Sequence, residues 1–234
     1  MTVEQAPYCL VNDNIAMLLF VLSLIGIAHI FLVCGSSIIE RAKSLFYYSN
    51  RQSNPFNERT HITKWCNALL YWQTIFYCGT LAFIYLQYSP QTAATSVTTA
   101  RASLAGCMTM FAGLLVAKKV IYDLCNNILW GKEVAKEWSR SHFFTIKLLS
   151  FVLLPLLAAT LFIEHVGETF MRVYLIFATL TYIAVYISSL NSIIFRKKCN
   201  YLDIFLYLCA LELLPVAIMW KLTIEVNSYL LINF

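Results

Sequence analysis

The chain has 234 residues, of which 60% are hydrophobic and 12% are charged. A soluble domain carries about 25% charged residues, so a soluble fold of this composition is excluded because it would lack a polar surface. The formal net charge of +5 does not indicate nucleic-acid binding, because the basic residues stand between apolar runs, a pattern that orients membrane proteins.

Six apolar runs divide the chain, each close to the roughly 20 residues that a helix needs to cross a bilayer. They cover residues 15–39, 65–88, 102–122, 143–163, 173–195 and 201–220. The runs are continuous, whereas a membrane β-barrel requires alternating segments of about 10 residues. The sequence therefore predicts an all-α, polytopic transmembrane bundle of about six spans, with residues 1–234 forming a single membrane domain.

The residues before the first run contain Glu4 and Asp13 but no Lys or Arg. A cleavable signal peptide has a basic start and a shorter apolar core of about 7–15 residues. We therefore expect the first run to be retained as a span.

Basic residues alternate in number from loop to loop. The segments at the ends of the first, third and fifth runs hold 14 of the 17 Lys and Arg residues, and the other side holds Arg101, Arg172 and Lys221. The positive-inside rule places the strongly basic loops in the cytoplasm. Both termini are then predicted on the non-cytoplasmic side.

The second basic loop, residues 123–140, has a helical pattern. Trp130, Val134 and Trp138 recur at four-residue intervals. Two interpretations stay open: a helix lying on the inner leaflet with its tryptophans at headgroup level, and a helical extension of the third span.

Two ionisable residues fall near the middle of a span, where an isolated charge costs several kcal/mol. His29 lies in the first run and Glu212 in the sixth. They can form a structural hydrogen bond between helices, which we favour, or a site for a proton or ligand. Ser36 and Glu40 share the helix face of His29 to within about 20°.

Pro215 follows Glu212 by one turn. A proline inside a helix removes a backbone hydrogen bond and kinks the chain, so we expect the carbonyl of Leu211 to be freed. A glutamate beside a kink is more suggestive of a site than a glutamate alone.

The third run places a small residue at every fourth position: Ala105, Thr109, Gly113 and Ala117. Such a face lets two helix backbones approach closely. We expect it to pack inside the bundle, with self-association as the alternative.

Sequence motifs for catalysis, metal binding and cofactor binding are absent. There is no HExxH, P-loop, GxSxG or GxGxxG pattern, and the eight cysteines form no CxxC pair. The histidines are isolated from one another at positions 29, 61, 142 and 165. The sequence therefore predicts no cofactor and no metal site, and favours a protein that is not an enzyme.

The segment 201–215, YLDIFLYLCALELLP, resembles the C-terminal signature of an uncharacterised Bacteroidota family of multi-pass membrane proteins, a domain of unknown function. The turn Asn54-Pro55-Phe56 is also similar to that family. The resemblance implies a small bacterial inner-membrane protein without an assigned activity. It places Glu212 and Pro215 within the signature and adds no catalytic role.

Three functions remain open at this point. The favoured one is a non-enzymatic subunit or scaffold of a membrane or envelope complex, in contact with the lipid bilayer and with a membrane-protein partner or a second copy of itself. The first alternative is a small transporter or channel that uses His29 and Glu212. The second is a membrane-embedded enzyme acting on lipid, for which the available inner-face residues are Glu40, His61, Asp123 and His142.

Overall fold

The computed structural model describes residues 13–46, 64–87, 96–129, 132–163, 168–194 and 214–233. Within these residues the chain forms six α-helices, which confirms the predicted all-α class. They are α1 (Asn14–Phe46), α2 (Lys64–Gln87), α3 (Val97–Leu129), α4 (Lys132–Phe162), α5 (Glu168–Ile194) and α6 (Leu214–Asn233).

Five of the described helices are long and apolar enough to cross a membrane, and they coincide with the first five predicted runs. The spans are Asn14–Lys43, Lys64–Gln87, Val97–Leu124, Ser139–Phe162 and Thr169–Ser188. A membrane requires helices here because lipid offers no partner to an open backbone.

The sixth predicted run, 201–220, is described in part, since residues 201–213 lie outside the described residues. Helix α6 continues past its predicted end to Asn233. Lys221 and Glu225 lie one helical turn apart on the exposed surface, with 3.9 Å between the ammonium and the carboxylate. An i,i+4 pair of this kind supports a helix in a polar setting, which is why the helix need not end at Lys221.

The second basic loop is helical in its described backbone. Helix α3 runs on to Leu129 and α4 begins at Lys132. Residues 123–129 thus extend the third span, as one of the two interpretations held, whereas residues 132–140 belong to the helix of the fourth span. Trp130, Val134 and Trp138, which suggested a surface helix, have side chains outside the described part.

Helices α2 and α4 form the centre of the bundle. Helix α2 packs against α1, α3 and α4, α4 also packs against α3 and α5, α1 packs against α5 as well, and α6 packs on α3. Buried side chains of α2, α4 and α5 form the main core, among them Tyr77, Leu156, Leu157 and Met171. This arrangement leaves one side of α1, α3 and α5 without a described neighbour.

Contacts between helix ends show that α1 runs antiparallel to α4 and parallel to α3. Phe20 near the start of α1 meets Phe162 at the end of α4, with ring centroids 5.8 Å apart. At the same end of the bundle Arg101 of α3 donates two hydrogen bonds to the carboxylate of Asp13, at 2.9 and 3.1 Å. The same carboxylate accepts the Ile15 amide at 2.9 Å, so Asp13 caps α1 while it joins α1 to α3.

Two local features fix how the central helices pack. A methyl carbon on Gly79 of α2 would lie 3.0 Å from Cα of Met108, so only glycine allows the observed approach of α2 to α3. In α4, Pro155 removes the helical donor for the carbonyl four residues earlier. The Tyr174 hydroxyl of α5 donates to the neighbouring carbonyl of Val152 at 2.8 Å, which supplies a bond from an adjacent helix where the proline weakens the ladder.

Candidate functional site

The polar stripe predicted on α1 lies on an exposed face. His29, Ser36 and Glu40 are all exposed, and no described residue hydrogen-bonds to the His29 imidazole. Buried positions such as Ile30, Cys34 and Ile38 hold the opposite side of α1 against the bundle. The stripe therefore points away from the described core.

Glu212, the predicted partner of His29, lies outside the described residues. Pro215 is the second residue of the described part of α6, and the carbonyl of Leu211 lies outside that part. The predicted His29–Glu212 pair and the predicted kink stay predictions.

The small-residue stripe of α3 is exposed as well. Ala105, Thr109, Gly113 and Ala117 are exposed, and a methyl carbon added to Gly113 would meet no described atom within 4 Å. Helix α3 instead buries a different face, formed by residues such as Ala100, Leu104 and Cys107. The close internal approach expected at this stripe is made by Gly79 against Met108, and the stripe is left open.

A buried polar network between α1 and α2 was not predicted. The Gln73 amide donates to the carbonyl of Ser23 at 3.2 Å, and the Tyr77 hydroxyl donates to the Ser23 hydroxyl at 3.3 Å. Gly26 makes room for it, since a methyl carbon there would lie 3.1 Å from Nε2 of Gln73. A glutamine within an apolar run was the sequence signal for this interhelical bond.

One end of the bundle, where α1, α3 and α5 end and α2 and α4 begin, carries most of the described charge; we call it the basic end. Lys147 of α4 is buried there, at 7% exposure. Its ammonium donates to Oδ1 of Asn67 and lies 4.0 Å from the ring centroid of Tyr71. Both partners are neutral, so the charge of Lys147 is not balanced by a described carboxylate.

Further cations surround Lys147. The Arg41 guanidinium and the Lys119 ammonium are near enough to repel its charge, and Arg140 acts on Arg41 in the same way. The described side chains of this end include seven basic groups and two acidic groups: Arg41, Lys43, Lys64, Lys118, Lys119, Arg140 and Lys147 against Glu40 and Asp123. Among the described side chains of the basic end, positive charge therefore exceeds negative charge.

Aromatic rings pack beside these cations, and we call them the aromatic cluster: Tyr71, Tyr122, His142, Phe143 and Tyr186. The His142 imidazole stacks on Tyr122 at 4.5 Å between centroids and meets Tyr186 edge-on at 5.6 Å. Phe143 contacts both Tyr71 and Tyr122. His142 and Tyr122 are almost fully buried, so the cluster joins α2, α3, α4 and α5 at the basic end.

An apolar cavity of about 400 Å³ lies deeper in the bundle. Side chains of α2 to α6 line it, among them Cys78, Phe111, Leu149, Leu153, Tyr182 and Trp220. The volume falls within the range of about 300–1,000 Å³ that small-molecule sites occupy. Tyr182 stacks near Tyr186 at 6.0 Å, so the cavity meets the aromatic cluster.

The inner-face residues considered for lipid chemistry do not form a metal site in the described structure. Asp123 accepts a hydrogen bond from Ser139 at 3.4 Å and lies at the basic end with His142, whereas Glu40 is exposed on α1. His61 lies outside the described residues. Across the described ranges, no three His, Cys, Asp or Glu side chains are grouped to hold an ion.

Lys147 is the residue at this end that the sequence should have singled out. It lies inside the fourth predicted run, 143–163, where a cation is by itself a candidate functional residue. The count of basic residues that predicts topology treats it like any lysine of a loop. His142 carried no comparable signal, because its stacking on Tyr122 depends on how α3 and α4 meet.

Comparison with known proteins gives a family without an activity. The model of a family described as a domain of unknown function (DUF4271) matches residues 15–223. No curated protein and no solved structure matches the chain. The match confirms the resemblance to a family of unknown function that the segment 201–215 suggested.

Proposed function

We propose that this chain, which belongs to the family described as a domain of unknown function (DUF4271), is a non-enzymatic subunit or scaffold of a complex in a bacterial inner membrane. Its described helices suit a bilayer. The proposal concerns what they do there: they hold transmembrane helices of a partner protein.

The observation that carries the proposal is the exposed polar stripe of α1. His29 lies near the middle of the span Asn14–Lys43, and Ser36 and Glu40 continue the same exposed face. Hydrocarbon offers no hydrogen bond to an imidazole, so a lipid-facing histidine at this depth is unfavourable. A polar side chain on a partner helix would remove that cost by an interhelical hydrogen bond.

The small-residue stripe of α3 supports the same conclusion from a second surface. Open space lies beside Gly113, and Ala105 and Ala117 are exposed on the same side. Small residues at four-residue spacing allow another helix to approach closely, and van der Waals packing drives such association in lipid.

The test is recovery of the partner from the membrane. A photo-crosslinking amino acid at Ser36, on the stripe, should link the full chain to one other membrane protein, and a native mass spectrum of the complex should show a fixed stoichiometry. His29→Leu should lower recovery of that partner at least tenfold while the amount of chain in the membrane stays unchanged.

The matched control is Leu24→Ala, an exposed residue of α1 about 140° around the helix from His29, which should leave recovery unchanged. Crosslinks from Ser36 that reach nothing except lipid, or only Glu212 of the same chain, would contradict the proposal. A mass equal to an integral number of copies of this chain would instead identify a homo-oligomer.

A further inference from the structure

We propose that the basic end and the cavity below it form a binding site for one anionic phospholipid. The phosphate of the headgroup is held by the exposed cations of the basic end, and an acyl chain occupies the apolar cavity. This inference does not depend on the proposed partner of α1, because Lys119, Arg140 and Lys147 and all residues that line the cavity lie on other helices.

The charge of the basic end selects an anionic headgroup. Lys147 is buried with neutral partners, Asn67 and Tyr71, and the charged groups that act on it, Arg41 and Lys119, are cations too. A buried charge without a counter-charge is unfavourable. A phosphate bound at the mouth, in contact with the exposed Arg140 and Lys119, would supply the missing negative charge.

The cavity selects an acyl chain. Its lining is apolar apart from a thiol, hydroxyl groups and the indole N–H of Trp220, and on α2 and α4 lining residues share a helix face with residues of the aromatic cluster. Leu149 stands seven residues after His142, and Cys78 seven residues after Tyr71, so each pair shares a face about 10 Å apart along its helix. On α5 the ring of Tyr186, in the aromatic cluster, contacts the ring of Tyr182, which lines the cavity, with 6.0 Å between the ring centroids.

Head and tail sites in line point to an amphiphile rather than to free phosphate. Free phosphate would use the cations and leave the cavity empty, whereas a phospholipid uses both with a single molecule. Arg41 and Arg140 lie within two residues of the end of a membrane-spanning segment, which is the depth of lipid headgroups, and basic pockets between helices at that depth bind anionic lipid headgroups.

The experiment measures lipid binding to the full chain in mild detergent by native mass spectrometry. Dioleoyl phosphatidylglycerol should bind at least tenfold more tightly than dioleoyl phosphatidylethanolamine, which has the same chains and no net charge. Lys147→Met keeps the length of the buried side chain and removes its charge. It should lower the affinity for the anionic lipid at least tenfold, toward the affinity for the zwitterionic lipid.

The matched control for the charge is Lys221→Gln, which changes an exposed lysine of α6 and should leave both affinities unchanged. Equal affinity for the two lipids, or an unchanged affinity in Lys147→Met, would overturn the headgroup site. Displacement of the anionic lipid by millimolar inorganic phosphate would overturn the lipid as occupant and identify a phosphate site.

The cavity is tested separately on α5. Ala178 lines the cavity and is buried, so Ala178→Phe should fill it and weaken both lipids at least tenfold. Ala184 is exposed on the same helix, and Ala184→Phe should change neither. Unchanged binding in Ala178→Phe, with the helical spectrum of the parent protein, would show that no acyl chain enters the cavity.

Discussion

Two glycines inside helices, Gly79 and Gly113, have different surroundings, so an added methyl group has a different consequence at each. Gly79 lies where α2 crosses α3, and Gly113 lies where α3 has no described neighbour. Both are helical, so in each case alanine would by itself favour the helix by up to about 1 kcal/mol. The surroundings decide the net sign.

We predict that Gly79→Ala destabilises the protein and Gly113→Ala does not. At Gly79 the added carbon meets the backbone of Met108 at 3.0 Å, so α3 must shift, and overpacking of this kind costs about 1–3 kcal/mol. The measurement is the midpoint of thermal unfolding in detergent. Equal midpoints in the two variants would show that α2 and α3 do not approach as described.

Polar side chains inside the spans also differ in their surroundings, since a neighbouring helix of the described structure supplies hydrogen-bond partners to some of them and not to others. Gln73 and Tyr77 are satisfied in part by Ser23 of α1, whereas His29 on the same α1 is exposed. In sequence all of these are polar residues within apolar runs. Which of them is structural and which is open to a partner follows from the contacts of α1 with α2.

At the scale of helices, α1 is held to α2 along its second half. Ile30, Cys34 and Ile38 form one buried ridge that packs with Cys66 and Leu70 of α2. A ridge at intervals of four residues is the expected pattern for one packed face of a helix. Helix α5 also packs against α1, and the exposed faces of α1 are left to lipid and, in our proposal, to a partner.

We predict that Cys34 and Cys66 can be joined by a disulfide. Their sulfur atoms are 2.8 Å apart and buried, so copper-phenanthroline and air, with oxygen as the oxidant, should convert the two thiols into one disulfide. Tryptic cleavage at the basic residues between them, without reduction, should release a linked pair of peptides. Cys34→Ser is the control, and a linkage to a different cysteine would contradict the contact between α1 and α2.

Helix length was predicted less well than helix number. The apolar runs gave the ends of the first five spans to within seven residues, because hydrophobicity ends where the bilayer ends. The helices themselves continue further, to Leu129 in α3 and from Lys132 in α4. Outside the bilayer a helix is stabilised by contacts with water and by side-chain pairs within the helix. An apolar run therefore does not show where such a helix ends.

At the scale of the whole molecule, α1 to α5 alternate in direction and gather basic residues at one end. Arg41, Lys119, Arg140 and Lys147 come from three helices that meet there, while Arg101 lies at the opposite end on Asp13. The positive-inside rule depends on this asymmetry, and the structure shows it as a concentration of basic residues at one end of the bundle.

We predict that both termini face away from the cytoplasm in a bacterial host. Alkaline phosphatase, which is active only outside the cytoplasm, should be active when fused after residue 234, and a green fluorescent protein fused there should be dark. Replacing Lys118, Lys119 and Arg140 together by Gln should weaken this bias, whereas Arg172→Gln should strengthen it. A fluorescent C-terminal fusion would contradict the predicted topology.

The sequence by itself determined the helical class, the number of apolar runs, the asymmetry of charge and the family resemblance, because hydrophobicity and charge act through composition and spacing along the chain. Only the tertiary structure decided that the stripes of α1 and α3 are exposed, that Gly79 makes the close approach, and that the aromatic cluster contacts both Lys147 and the cavity-lining Tyr182. Each of those depends on which helix faces meet, and in lipid, where most faces are apolar, the sequence pattern distinguishes a packed face from a lipid-exposed one only weakly.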